Sequence, residues 1–357
     1  VGSARFLSKA AASQLRRYPL ELARSLRAGN APSGRALDAD ESGFGARWSA
    51  ALGVEGPGLL AAWLGHAGVL LRWPGRDGSL SVVCDPVLSD RIGPRLFGGG
   101  LIARGLLGAG LGAREDPALG GRVLGPRRLV PAFAGPAALG PIDLVLITHA
   151  HFDHLDRPTL ATLARLSPHA HVVVPRGTRA LIPRGFAGVH EARWEKPVVV
   201  AGARVLALRP KHWGARMIWD RHRGFNSYVV EPAEPEGGTL WGHARRVLLA
   251  GDTAETDVFD ALAGRVGPVG LACLGIGAYD PWVHHHATPE QAWGMFQRSG
   301  AGRMMPIHHA TFQLGDEPPG EPIERLLRVA GRAGEPLIVG RELGGVVRVG
   351  AGEGGTA

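Results

Sequence analysis

The run Thr148-His149-Ala150-His151-Phe152-Asp153-His154-Leu155-Asp156 sets five groups able to bind a metal directly behind the apolar run Ile142-Asp143-Leu144-Val145-Leu146-Ile147. That apolar run reads as a buried strand, and a turn at its end can aim His149 and His151 at one point. Asp153 and His154 supply a second pair. Imidazole with carboxylate suits zinc, or iron or manganese where these are available, and four such ligands exceed what one catalytic ion with an open position needs. Two divalent ions are therefore expected. The competing reading is a polar loop whose histidines cap the next helix, with Asp156 or Thr159 as N-cap ahead of Leu160 and Leu163.

The run resembles the His-X-His-X-Asp-His signature of the metallo-β-lactamase fold, an α/β architecture built as a four-layer αββα sandwich with its metals at the edge of the paired sheets. The resemblance implies further ligands from distant strand ends, and candidates occur in order. His212 follows Val205-Leu206-Ala207-Leu208-Arg209-Pro210, Asp252 follows Val247-Leu248-Leu249-Ala250-Gly251, and His308 follows Met304-Met305-Pro306-Ile307. Carried over residue by residue, His149, His151 and His212 would hold one ion, Asp153, His154 and His308 the other, and Asp252 would bridge them.

Within that superfamily the chain is similar to the N-acylphosphatidylethanolamine-hydrolysing phospholipase D group. The motifs are Trp63-Leu64-Gly65-His66-Ala67, Asp85-Pro86, Gly125-Pro126-Arg127-Arg128, Pro210-Lys211-His212-Trp213, Ile276-Gly277-Ala278-Tyr279 and Ile307-His308-His309-Ala310-Thr311-Phe312. The resemblance implies that Asp85 steadies a metal-bound imidazole from behind, that His286 is an additional active-site histidine, and that Tyr279 binds substrate. It leaves His66 open between a supporting group and a core histidine. Three departures bear on substrate: an extra piece at 93–124, Gly224-Phe225-Asn226-Ser227 in place of an aromatic Gly-Ser segment, and no arginine after Tyr279.

The expected activity is hydrolysis by a metal-activated hydroxide, with Asp153 or Asp252 orienting the water and His286 positioning substrate or assisting proton transfer. The bond is expected to be a phosphodiester, in a small-molecule or lipid substrate of anionic character. The same donors serve a lactonase or amidohydrolase, an RNA-processing nuclease, or a metal-stabilised module that binds lipid or protein without catalysis.

Composition narrows this only modestly. A net charge of +8 favours phosphate, nucleic acid or an anionic membrane surface, but no basic run is interleaved with aromatics, which argues against a dedicated nucleic-acid binder. The 357 residues are expected to form one domain, 1–357, with an N-terminal extension at 1–50 and an insertion at 93–124. Within the extension, 5–27 mixes leucines and arginines as a basic amphipathic helix would, interrupted by Pro19; it reads either as a membrane-surface helix or as one packed on the domain. The insertion reads as a lid or as a loop covering the core. Cys84 and Cys273 sit in apolar runs as reduced thiols, which points to a cytoplasmic protein, peripheral to the membrane if the amphipathic segment binds lipid. Whether it forms a homo-oligomer is open. Runs at 81–84, 171–174, 197–208, 270–276 and 337–339 read as strands, and 158–166, 256–265, 288–298 and 322–330 as helices.

Overall fold

The computed structural model describes residues 43–53, 58–75, 79–96, 122–123, 125–217, 220–233 and 245–350; the basic segment 5–27 and most of the 93–124 insertion lie outside the described residues. Apolar runs, buried on both faces in the central strands and part-exposed at the edges, make two sheets. The first is built from Leu59–Gly65 (β1), Gly68–Trp73 (β2), Leu80–Cys84 (β3), Leu144–Leu146 (β6), His171–Pro175 (β7), Gly188–Ala192 (β8) and Val346–Val349 (β15), in the order β15-β1-β2-β3-β6-β7-β8. Arg95–Leu96 (β4) and Arg122–Val123 (β5) form a small separate ladder. The second sheet contains Pro197–Val200 (β9), Ala203–Leu208 (β10), Ser227–Pro232 (β11), Arg246–Leu249 (β12), Val269–Gly275 (β13) and Arg303–Ile307 (β14), in the order β14-β13-β12-β11-β10-β9.

Alternation along each strand explains the layering. Leu144 and Leu146 of β6 point into the core between the sheets together with Val205, Val247, Leu271 and Met305, while Val145 points the other way. The outer face of the first sheet is covered by Phe44–Gly53 (α1) and Arg157–Leu166 (α2), which contribute Phe44, Trp48, Leu160 and Leu163. On the outer face of the second lie Leu262–Val266 (α3), Pro289–Ser299 (α4) and Glu321–Gly334 (α5), with Leu262, Trp293, Phe296 and Leu326 buried. The result is the αββα sandwich. Each fully buried Leu or Val contributes on the order of 1.5–3 kcal/mol, so the core stabilises a site whose own groups are polar.

Strand direction gathers the site. In the first sheet β3, β6 and β7 run parallel, and β1, two antiparallel steps from β3, runs the same way. In the second, β12, β13 and β14 are parallel, and β10 is likewise two antiparallel steps from β12. The residues following β1, β3, β6, β10, β12 and β14 therefore emerge from like-directed strand ends. These are His66, Asp85, His149, His212, Asp252 and His308.

Some local expectations differ from the structure. The span 197–208 is a hairpin of two strands turning at Ala201 and Gly202, both at positive φ, rather than one strand. The helix expected at 256–265 instead spans Leu262–Val266, because Ala261 adopts a left-handed conformation (φ 49°). Residues 335–337 form a 3-10 turn, and the expected strand at 337–339 reduces to a single bridge between Ile338 and Met304. Helix α4 begins as its sequence implies, with Pro289 in the first turn and a reciprocal cap between Thr288 and Gln291.

Candidate metal centre

Two groups of donor atoms form at this edge. His149, His151, His212 and Asp252 make one; His66, Asp153, His154 and His308 make the other; Asp252 also lies with His286 and His308. Asp252 joins the groups: its Oδ2 is 3.7 Å from both His149 Nε2 and His212 Nε2 and 3.1 Å from His154 Nε2, and its Oδ1 is 3.2 Å from His308 Nε2. In the first group His151 presents Nδ1, at 2.7 Å from His149 Nε2 and 3.4 Å from His212 Nε2. In the second, Asp153 Oδ2 lies 3.4 Å from His308 Nε2 and 3.6 Å from His154 Nε2.

The inward nitrogens are set by bonds on the outward side of each ring. Buried Asp85, in a left-handed conformation (φ 42°), accepts from Thr148 N at 2.8 Å, Thr148 Oγ1 at 2.5 Å and His154 Nδ1 at 2.7 Å. With its proton on Asp85, Thr148 Oγ1 can accept from His149 Nδ1 at 3.0 Å, and His212 Nδ1 donates to the His285 carbonyl at 3.1 Å. Each of these three rings is thereby turned so that Nε2 faces Asp252, the arrangement by which outer hydrogen bonds fix metal-binding imidazoles. The competing capping role is not what the loop does: Asp156 occupies the N-cap position of α2 without a side-chain cap bond, and its carboxylate accepts from Ser89 and Thr159 Oγ1 instead.

Backbone strain is concentrated here, as at functional sites generally. His66, Asp85, Ala278, His308 and Ala310 all have positive φ. Gly251 (φ 59°) precedes Asp252, and a Cβ on it would fall 2.8 Å from Thr148 Cβ; a Cβ on Gly277 would fall 2.3 Å from the His308 carbonyl. His308 N donates to His66 O at 2.7 Å, joining the ends of the two sheets.

Electrostatics separates the histidines. Burial lowers His149 and His212 well below the ordinary value, His151 to about 4 and His286 to about 3. Burial also opposes charge on His154 and His308, but Asp252 with Asp153 outweighs it, so His154 is raised well above the ordinary value and His308 to about 9. Asp153 and Asp252 are held well below the carboxylate range because the surrounding histidines outweigh burial. His308 Nε2 and Asp252 Oδ1 are buried without a well-aligned hydrogen bond. Donors at this spacing, some of them unpaired, fit divalent ions held at about 2.0–2.2 Å by nitrogen and oxygen.

The remaining sequence candidates are placed as follows. His66 Nε2 contacts Asp153 Oδ2 at 2.9 Å, so His66 faces the site rather than the core. His286 Nδ1 is 3.8 Å from Asp252 Oδ2, and its ring packs near those of His212 and His308. Tyr279 donates its hydroxyl to Glu321 at 2.7 Å beneath the Arg325 guanidinium, in a cleft also lined by Pro281, Val283, His284 and Pro318. His309 turns away from the donors and stacks on Trp63 at 4.6 Å. Sequence reasoning missed Thr148, which links Asp85 to the ligand run, and Arg216, which donates to the Ala150 and Leu155 carbonyls. Adjacency to His149 was a signal for the first; spacing alone carried none for the second.

An αββα sandwich with two joined clusters of histidine and aspartate at one edge defines a protein of the metallo-β-lactamase fold with a candidate metal centre. The chain belongs to the beta-lactamase superfamily, whose domain model matches residues 108–309. It is 31% identical over 287 residues to an uncharacterised protein of Mycobacterium tuberculosis, covering 76% of this chain and 64% of that one, so the chain spans less than two thirds of that relative's length. It is 28% identical over 273 residues to an N-acyl-phosphatidylethanolamine-hydrolyzing phospholipase D of Caenorhabditis elegans, covering 72% of this chain and 65% of that one. Among solved structures, an isothiocyanate hydrolase from Delia radicum gut bacteria superposes with a TM-score of 0.53 at 16% identity, covering 81% of this chain and 98% of that one. Among the described residues no helix is long and apolar enough to cross a membrane.

Proposed function

We propose that the protein is a dinuclear metal-dependent phosphodiesterase acting on an anionic lipid of the N-acylphosphatidylethanolamine type. The observation that carries the reading is the sharing of Asp252 between two donor groups. His149, His151 and His212 would hold one ion and Asp153, His154 and His308 the other, with Asp252 common to both. Zinc suits this nitrogen and oxygen set, as would iron or manganese. Likeness to the nematode phospholipase D supports the choice of bond and substrate.

When bound, divalent ions supply Lewis acidity and a water acidic enough to attack near neutral pH. The chain's own groups do the rest. Asp153 and Asp252 stay ionised, so either can orient a water by accepting its proton in a hydrogen bond. His286 is neutral at pH 7 and can position substrate or water by a hydrogen bond beside Asp252. Cys84 and Cys273 are buried in the inter-sheet core with their thiols pushed up by burial, so no cysteine nucleophile competes for the role.

The test is a screen of the metal-loaded chain against N-acylphosphatidylethanolamine, simple aryl phosphodiesters and lactones, alongside metal analysis. Phosphodiester cleavage with two bound equivalents is expected. Turnover of lactones alone would move the assignment to a lactonase, and failure to bind metal would end it.

A further inference from the structure

We propose that Arg216 is a positioning residue that fixes the ligand-bearing turn 149–154 against the loop carrying His212. The inference rests on the proposed metal ligands. Arg216 lies four residues beyond His212, and one of its nitrogens, Nη1, donates to Ala150 O at 3.0 Å and to Leu155 O at 2.9 Å. Its guanidinium carbon sits 3.9 Å from the centre of the Phe152 ring. The three contacts fall on residues that alternate with, or immediately follow, His149, His151, Asp153 and His154.

The two carbonyls are well placed to transmit that grip. Ala150 C=O belongs to the same planar peptide as His151 N, so holding the oxygen restricts the backbone that aims the His151 ring. Leu155 is the residue after His154, and its own N–H already bonds back to His151 O at 2.9 Å. Arg216 thus closes the turn from both ends, while its chain continuity with His212 carries the grip to the third ligand of the first group. A planar guanidinium suits the task because it can donate in its plane and stack on an aromatic face together. Arg216 does not touch the donor cluster in any of these contacts; its effect is on how the ligands are held.

The experiment compares the wild-type chain with Arg216→Ala and Arg216→Lys. In metal-free protein, hydrogen exchange resolved along the chain is expected to speed up at 150–155 in Arg216→Ala, with the strands of both sheets unchanged. Zinc affinity measured by chelator competition is expected to fall about 10- to 100-fold, the usual effect of losing an outer group that orients ligands. Arg216→Lys, which keeps a cationic donor but not the planar guanidinium, is expected to fall between. Exchange at 150–155 that is unchanged, or raised equally throughout the chain, would overturn the proposal, as would a lysine variant no tighter than the alanine one. A wild-type chain that takes up no zinc would count against the proposed function, and the exchange pattern would still decide the role of Arg216.

Discussion

Asp85 Oδ2 lies 2.7 Å from His154 Nδ1, and Asp85 Oδ1 receives the Thr148 backbone N–H from 63 residues along the chain. One carboxylate at the end of β3 thereby orients a ring carried by the loop after β6.

Replacing Asp85 with alanine removes the acceptor that turns His154 Nε2 inward. The ion held by Asp153, His154 and His308 is expected to bind about 10- to 100-fold more weakly. Chelator competition on Asp85→Ala would measure this, and Asp85→Asn, which keeps an acceptor but not the charge, should lose less. Equal affinity in all three proteins would rule out the orienting role.

Metal uptake should expel protons. His308 is raised to about 9 by Asp252 and Asp153 against the opposing effect of burial, and His154 is raised in the same direction, so both are charged in metal-free protein at pH 7. Both must become neutral to bind metal. A weakly buffered solution is expected to acidify on addition of zinc, with affinity rising between about pH 6.5 and 9. For metal-free protein the sign reverses. A raised folded-state value stabilises fully below the unfolded value of 6.5 and loses that contribution as pH rises through about 9, so urea midpoints in chelator should fall across this window.

Asp252 and Asp153 should separate by stoichiometry. Because Asp252 contacts both donor groups, Asp252→Ala is expected to weaken both ions, whereas Asp153→Ala should spare the one held by His149, His151 and His212. Both variants should lose turnover. Elemental analysis after dialysis distinguishes them, and full activity in Asp153→Ala would refute a dinuclear reaction.

Gly251 combines a positive φ of 59° with space already taken by Thr148. Gly251→Ala is expected to cost about 1–3 kcal/mol in urea unfolding and, by displacing Thr148, to weaken metal binding as well. An unchanged midpoint would mean that the loop relaxes freely.

Much of the site was legible because its chemistry is locally spaced. His149, His151, Asp153 and His154 lie within one turn, and His212, Asp252 and His308 each follow an apolar strand. Less legible were elements whose form depends on one backbone conformation, such as the helix shortened by left-handed Ala261. His66 was undecidable as a sequence, since a histidine after a buried strand can face either way; contact with Asp153 sets its direction.

The sequence by itself determined the donor types, their order and the alternation that makes two doubly buried sheets, because these follow from residue chemistry and the period of a strand. Tertiary structure decided which donors lie together, which nitrogen each ring presents and which residues brace them. Those depend on bringing together strand ends far apart in the chain, through contacts such as His308 N to His66 O and Arg216 to Ala150 O, and no local spacing encodes a distance that arises only when two sheets pack.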